Sequence, residues 1–184
     1  MLRRIAAPAL AGVLVLTGAG VAVASSEPQL SAHGPTSVAG TEQSAVFRIG
    51  SRTVRQVRYA DRGTLVYSFT LANDGRLPVT VTGLAPPVRA PRLFEYVDLA
   101  DAEGHGEFTI GAGERTTVEV SMLMHGCETL SARAGSFATQ VDLLVERAGV
   151  LEDTVSVEFP EEVHTGSPRE AFCPNATATS RPPG

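Results

Sequence analysis

Hydrophobic residues recur at every second position over several separate stretches of this chain. Leu65, Tyr67, Phe69 and Leu71 alternate with Val66, Ser68, Thr70 and Ala72, and Val118, Val120, Met122 and Met124 alternate with Thr117, Glu119, Ser121 and Leu123. Side chains at that spacing line one face of an extended strand and no single face of a helix. Val79 with Val81, and Val155 with Val157 and Phe159, repeat the pattern. Phe137, Val141, Leu143 and Val145 are expected on one face, with Gln140, Asp142 and Glu146 opposite. Phe47 with Ile49, Val57 with Tyr59, and Phe108 with Ile110 add shorter cases. Turn-forming sequences separate these runs: Asn73-Asp74-Gly75, the Gly-Ala-Gly-Glu that starts at Gly111, and Arg147-Ala148-Gly149. Leu93 to Leu99 reads either as a short edge strand or as a helical turn. About seven or eight short strands, with no long helical period, predict an all-β chain folded as an antiparallel sandwich.

The ends of the chain differ from this middle. Arg3 and Arg4 precede an apolar run from Leu10 to Val23, and Ala22-Val23-Ala24 places small residues before a cut between Ala24 and Ser25. Residues 1–24 therefore read as a secretory signal peptide. An uncleaved N-terminal anchor helix is the alternative, because Ile5 to Ala24 is close to the ~20 residues that cross a bilayer. In either case the remainder is secreted or held at the cell surface. Residues 25–43 are expected to be a flexible linker, 44–174 the sandwich, and 175–184 a disordered tail. Ala85 to Pro91 reads as a stiff connector, and after Phe159 the chain carries Pro160, Gly166 and Pro168 without a strand pattern.

Charge excludes some partners. All 15 basic residues are Arg, and 20 acidic residues give a formal charge of −5. Such a chain is repelled by nucleic acid and by anionic lipid, so neither is an expected partner. The membrane is reached only through the N-terminal segment, if that segment is retained.

The run "YSFTLANDGRLPVTVTGL", followed by "IGAGERTTVEVSM", carries a resemblance. A strand ends in Asn-Asp-Gly, a second strand starts near Pro78, and a Gly-x-Gly-Glu turn launches a later long strand. This resembles the immunoglobulin-like domains of bacterial surface proteins. More narrowly, it is similar to uncharacterised secreted or membrane-anchored actinobacterial proteins with a cysteine after the later strand and a Cys-Pro near the C-terminus. Those positions are Cys127 and Cys173-Pro174, and the similarity spans roughly Thr64 to Pro174. It implies an immunoglobulin-like sandwich and assigns no functional residue.

Cys127 and Cys173 are the only cysteines, and two cysteines in an exported domain are expected to pair. The bridge would pin the segment after Phe159 to the sandwich. Met122, Met124, His125 and Cys127 are soft-metal ligands in close succession. On a strand, however, Met122 and Met124 share the core face with Val118 and Val120 while His125 falls opposite. The expectation is core packing, with no metal and no cofactor. The alternative is an extracytoplasmic copper or zinc protein that uses Met124, His125 and His105. Asp98, Asp101 and Glu103 form an acidic loop, and Glu161-Glu162 an acidic pair, without the spacing of a calcium loop. Arg48, Arg52, Arg55, Arg58 and Arg62 make the one basic cluster, a candidate patch for a cell-wall polymer or an acidic protein partner. Its plainer role is a charged sheet edge. No nucleophile elbow or phosphate loop stands out. The sequence therefore predicts a non-catalytic interaction or structural module of the cell envelope. An envelope enzyme with an unrecognised site is the further alternative.

Overall fold

The structure, a computed structural model, describes residues 27–41, 43–86, 93–125 and 135–165. These contain ten strands: β1 (Leu30–Ala39), β2 (Gln43–Ile49), β3 (Arg52–Arg58), β4 (Thr64–Asn73), β5 (Val79–Leu84), β6 (Phe94–Asp101), β7 (Phe108–Ile110), β8 (Arg115–Met124), β9 (Phe137–Arg147) and β10 (Leu151–His164). They form a four-stranded sheet in the order β1-β4-β8-β6 and a six-stranded sheet in the order β2-β3-β10-β9-β5-β7. The alternating residues of both sheets meet in one core. Leu65, Tyr67, Phe69 and Leu71 of β4 and Val118, Val120, Met122 and Met124 of β8 face Val79 and Val81 of β5, Val141, Leu143 and Val145 of β9, and Val157 and Phe159 of β10. The described residues are thus all-β with two layers, the arrangement of a β-sandwich. Among the described residues no helix is long and apolar enough to cross a membrane. Segment 1–24 lies outside them.

Three expectations need correction, and one open alternative is resolved. The segment read as a linker contains β1 and the start of β2. Only Leu30, Ala32 and Val38 of β1 pack on the core, too few for an apolar signal, and the strand is held by its ladder with β4. Leu93 to Leu99 resolves as strand, since β6 pairs with β8 along its length. Phe137 points outward and is 47% exposed, whereas Ala138 and Val141 are buried. Two adjacent outward residues, Thr139 and Gln140, reverse the alternation there. Lastly, β10 does not stop at Phe159. It runs through Pro160 to His164, and its last residues pair with β3 in parallel, the exception in an otherwise antiparallel fold.

Pro160 is tolerated because the ladder is already broken at that point. Glu158 lies opposite Gln140, but the next paired residue of β10, Val163, lies opposite Ala138. The extra β10 residues form a bulge, where a missing N–H costs no ladder bond. β1 has a corresponding bulge between His33 and Ser37 that contains the cis Gly34–Pro35 bond. The two bulged strands, one from each sheet, are in contact with each other.

Two local sequences set the turns. Asn73 is fully buried, and its side-chain amide donates to the carbonyls of Leu77, at 2.8 Å, and Ile110, at 3.0 Å. Its Oδ1 accepts the N–H of Gly75 at 3.0 Å. One residue thus ties the β4–β5 turn to β7 and leaves its buried amide satisfied. Gly40, with φ +73°, ends β1 where a Cβ would run into the Thr64 carbonyl, so glycine is required for both reasons.

Candidate functional site

The basic cluster and the acidic pair, far apart in sequence, are partners. The parallel ladder sets Glu162 beside Val54 and Val163 beside Arg55. Arg52 donates through Nε and Nη2 to both carboxylate oxygens of Glu162. This hydrogen bond, with the guanidinium charge behind it, holds the Glu162 carboxyl below the usual carboxylate range. The Arg55–Glu161 pair is drier. Arg55 Nε donates to Glu161 Oε1 at 2.5 Å, with the side chains 12% and 5% exposed. The same oxygen accepts from Thr36 Oγ1 at 2.7 Å and from the Tyr67 hydroxyl at 3.4 Å. Arg55 Nη2 in turn donates to Thr36 Oγ1 at 3.0 Å. Thr36 and Tyr67 belong to the four-stranded sheet, Arg55 and Glu161 to the six-stranded one. The network therefore bonds the two sheets to each other. Burial, and then the neighbouring Glu161 carboxylate, push the Tyr67 hydroxyl far above its usual range.

Arg55 is thus largely buried in an internal pair, whereas Arg52 pairs with Glu162 at the surface with its side chain 56% exposed. Arg62 is exposed in the turn before β4, with Asp61 at 4.0 Å. Arg58 ends β3, and its carbonyl accepts from Thr41 Oγ1. Arg48 is exposed on β2, with no ion pair among the described residues.

That strand is the least protected sheet edge among the described residues. Within them β2 pairs with β3 on one side only, and residues 44–49 are all exposed. Val46 is 50%, Phe47 48% and Ile49 61% accessible. The other edges carry protective features. β1 is bulged and holds Pro35, β6 is bulged at Val97 and carries Glu95 and Asp98, and β7 is three residues long. β2 pairs regularly over seven residues with neither proline nor bulge, and Arg48 is its one charge. Long regular sheet edges with so few such features invite another strand.

The outer face beside β2 is also partly apolar. Phe47 lies opposite Val54 on β3, and Val54 lies opposite Glu162 on β10. Phe137 packs on His164 with ring centroids 4.6 Å apart, and the Arg52 guanidinium sits 5.7 Å from the Phe137 ring centre. A shallow cleft of about 330 Å³, lined by Arg52, Thr139, Gln140, Glu158 and Glu162, opens where the β9–β10 ladder breaks.

The methionines lie elsewhere. Met122 and Met124 are buried in the core, 0% and 1% exposed. His125 follows the end of β8 and donates its N–H to the Leu93 carbonyl at 2.8 Å. His105 sits beside Asp101, which pairs with Val118 at the far end of β8. Six residues of strand separate that point from Met124, roughly 20 Å. Met124, His125 and His105 therefore do not converge. Asp101, Glu103 and His105 do bring ligand atoms within 4.8 Å of one another, and Asp98 stands outside that group. Asp101 is occupied by its own loop: Oδ1 accepts the N–H of Glu103 at 3.0 Å and of His105 at 2.8 Å. The His105 backbone bond leads the effects that hold the Asp101 carboxyl below its usual range.

One grouping has no signal in the sequence. Ser31 Oγ lies 2.9 Å from His33 Nε2 and donates to Asp74 Oδ2. Serine and histidine two apart share a strand face, but only the β1–β4 pairing brings Asp74 to them. In a nucleophile relay the carboxylate orients the imidazole. Here it bonds the serine instead, an order that does not activate the hydroxyl through histidine.

Cys127, Cys173, Ala24 and Ser25 lie outside the described residues. The described residues nearest the two cysteines, His125 and Thr165, fall at one end of the sandwich. The turn before β4 bonds Met124 through Arg62 N–H at 2.7 Å, and Thr165 N–H bonds the Ser136 carbonyl at 2.9 Å where β9 begins. Compared with known proteins, the chain matches no family model and resembles no curated protein at a significant level.

Proposed function

We propose that this chain is a non-catalytic, extracytoplasmic interaction module of the cell envelope, built on an immunoglobulin-like sandwich. The observation that carries the reading is the open β2 edge, where Val46, Phe47 and Ile49 meet water on a regular strand. Exposed apolar side chains on an unpaired edge cost solubility, and they are expected where a partner covers them. The immunoglobulin-like assignment rests on the strand motifs of the sequence and on the two-layer core. Export rests on residues 1–24, and the Cys127–Cys173 bridge on the cysteine count together with the shared end of the sandwich from which both segments depart.

The test is capture from solubilised cell envelope by the exported protein and by a Phe47→Ser, Ile49→Ser variant. Both positions are on the surface, so the variant keeps the fold. A partner held by the wild type and lost by the variant is the expected result. Equal capture by both proteins removes β2 as the contact surface. In the same preparation, thiol labelling without reductant should leave both cysteines unmodified, and labelling of both excludes the bridge.

A further inference from the structure

We propose that the β2 edge takes up an extended segment of a partner protein as an added strand and selects an acidic residue flanked by apolar ones. This deepens the interaction-module reading and rests on it. Three observations choose this occupant.

The first is charge. Residues 43–60 contain Arg48, Arg52, Arg55 and Arg58 and no acidic residue, in a chain whose formal charge is −5. Glu162 and Glu161 match Arg52 and Arg55 from within the fold. Arg48 lies on the open edge itself, without an ion pair among the described residues. A guest carboxylate directly opposite would complete a cross-strand pair.

The second is side-chain alternation. Phe47 and Ile49 project to one face of β2 and Arg48 to the other. A guest strand therefore meets apolar, cationic and apolar positions in succession. Its complement is apolar, acidic, apolar, with the outer two residues continuing the exposed apolar side of Phe47 and Ile49.

The third is size. Seven residues of edge span about 23 Å, enough for one short peptide strand. A stable dimer needs about 800 Å² per partner, more than one strand edge supplies. A second copy would also bring a like net charge.

The probes are four fluorescent nonapeptides. One has a Val-Glu-Val centre and one a Val-Lys-Val centre. The other two are the glutamate peptide N-methylated at alternate amides, one in each phase. Fluorescence anisotropy is measured with the wild type and with an Arg48→Glu variant whose fold is checked by circular dichroism. The wild type should prefer the glutamate peptide by about two- to fivefold, the range of an exposed cross-strand pair, and Arg48→Glu should invert the preference. One methylated form should lose about tenfold in binding while the other retains it, because only alternate amides face the edge. Absence of saturable binding up to about 1 mM overturns the proposal. So does a preference that Arg48→Glu leaves unchanged, or equal binding of the two methylated forms. Sedimentation that shows self-association of the wild type, abolished by Ile49→Lys, also overturns it, in favour of a second copy. If envelope capture persists undiminished in Arg48→Glu, the interaction-module reading stands and the strand-selection proposal fails alone.

Discussion

Replacing Arg55 by methionine should be among the most damaging single changes in this protein, although it falls in a cluster that looks like a surface patch. The Glu161 side chain is 5% exposed, and among the described residues Arg55 supplies its only full positive charge, at 2.5 Å. The substitution leaves the carboxylate with two neutral donors, Thr36 and Tyr67, on the same oxygen. Breaking a buried pair from one side costs about 3–5 kcal/mol, because the remaining charge stays desolvated. The lost contact between Thr36 and the guanidinium belongs to the same network and is not added separately. For a domain of this size each kcal/mol moves Tm by about 2–4 °C, so Arg55→Met should lower Tm by roughly 6–20 °C. Glu161→Gln should cost less, about 2–3 kcal/mol, since Arg55 keeps its bond to Thr36 and the amide oxygen still accepts. The double variant Arg55→Met, Glu161→Met should fall within about 2 kcal/mol of wild type, because no charge is left buried. Urea unfolding followed by far-ultraviolet circular dichroism supplies all the corners of the double-mutant cycle for Arg55→Met and Glu161→Met. Additive losses, or a loss under about 1 kcal/mol for Arg55→Met, would refute the claim that this pair bonds the sheets together.

Three further outcomes follow from the same geometry. The chain has three tyrosines, and Tyr59, Tyr67 and Tyr96 are all raised above the usual phenol range, chiefly by burial, Tyr59 to about 12. Their stabilising contribution is complete below about pH 10 and is lost as pH rises through the folded values, so phenolate absorbance should appear late and together with unfolding. Phenolate forming in the native protein near pH 10 would contradict that burial. At the acid end, Glu162 and Asp101 are depressed, so their contribution is present above the usual carboxylate range and disappears as pH falls through the lower folded values. The urea midpoint should therefore fall between about pH 5 and pH 2, and less steeply in Glu162→Gln; an unchanged slope removes the Arg52 pair as a contributor. Met122→Leu and Met124→Leu should each cost under about 1.5 kcal/mol, and copper or zinc should leave the wild-type Tm where it is. A metal-dependent rise in Tm that either variant abolishes would show a ligand role for these methionines.

The sequence was most legible where burial imposes alternation. β4, β5, β8 and the later part of β9 could be read from the spacing of their apolar residues, because a strand with one buried face must place them every second position. It was poorly legible where the backbone alone holds the strand. β1 has little apolar content and exists through its ladder with β4. Phe137 was misplaced because a local irregularity in β9 changes the phase of the strand, and nothing in the residue types marks it. Pro160 suggests an end to β10, since its conflict with a ladder is local, while the β10 bulge that accommodates it is defined only by the register against β9.

The candidate site divides along the same line. Composition and spacing by themselves determined an all-β chain, the core residues Met122 and Met124, and the existence of one arginine cluster and one acidic pair. Tertiary structure alone decided that Arg52 and Arg55 pair with Glu162 and Glu161, because a parallel contact between β3 and β10 joins residues more than a hundred positions apart. It also decided which edge of the sheet stays open. Edge status depends on which strand lacks a neighbour, and that belongs to the order of strands in space and to no single stretch of sequence.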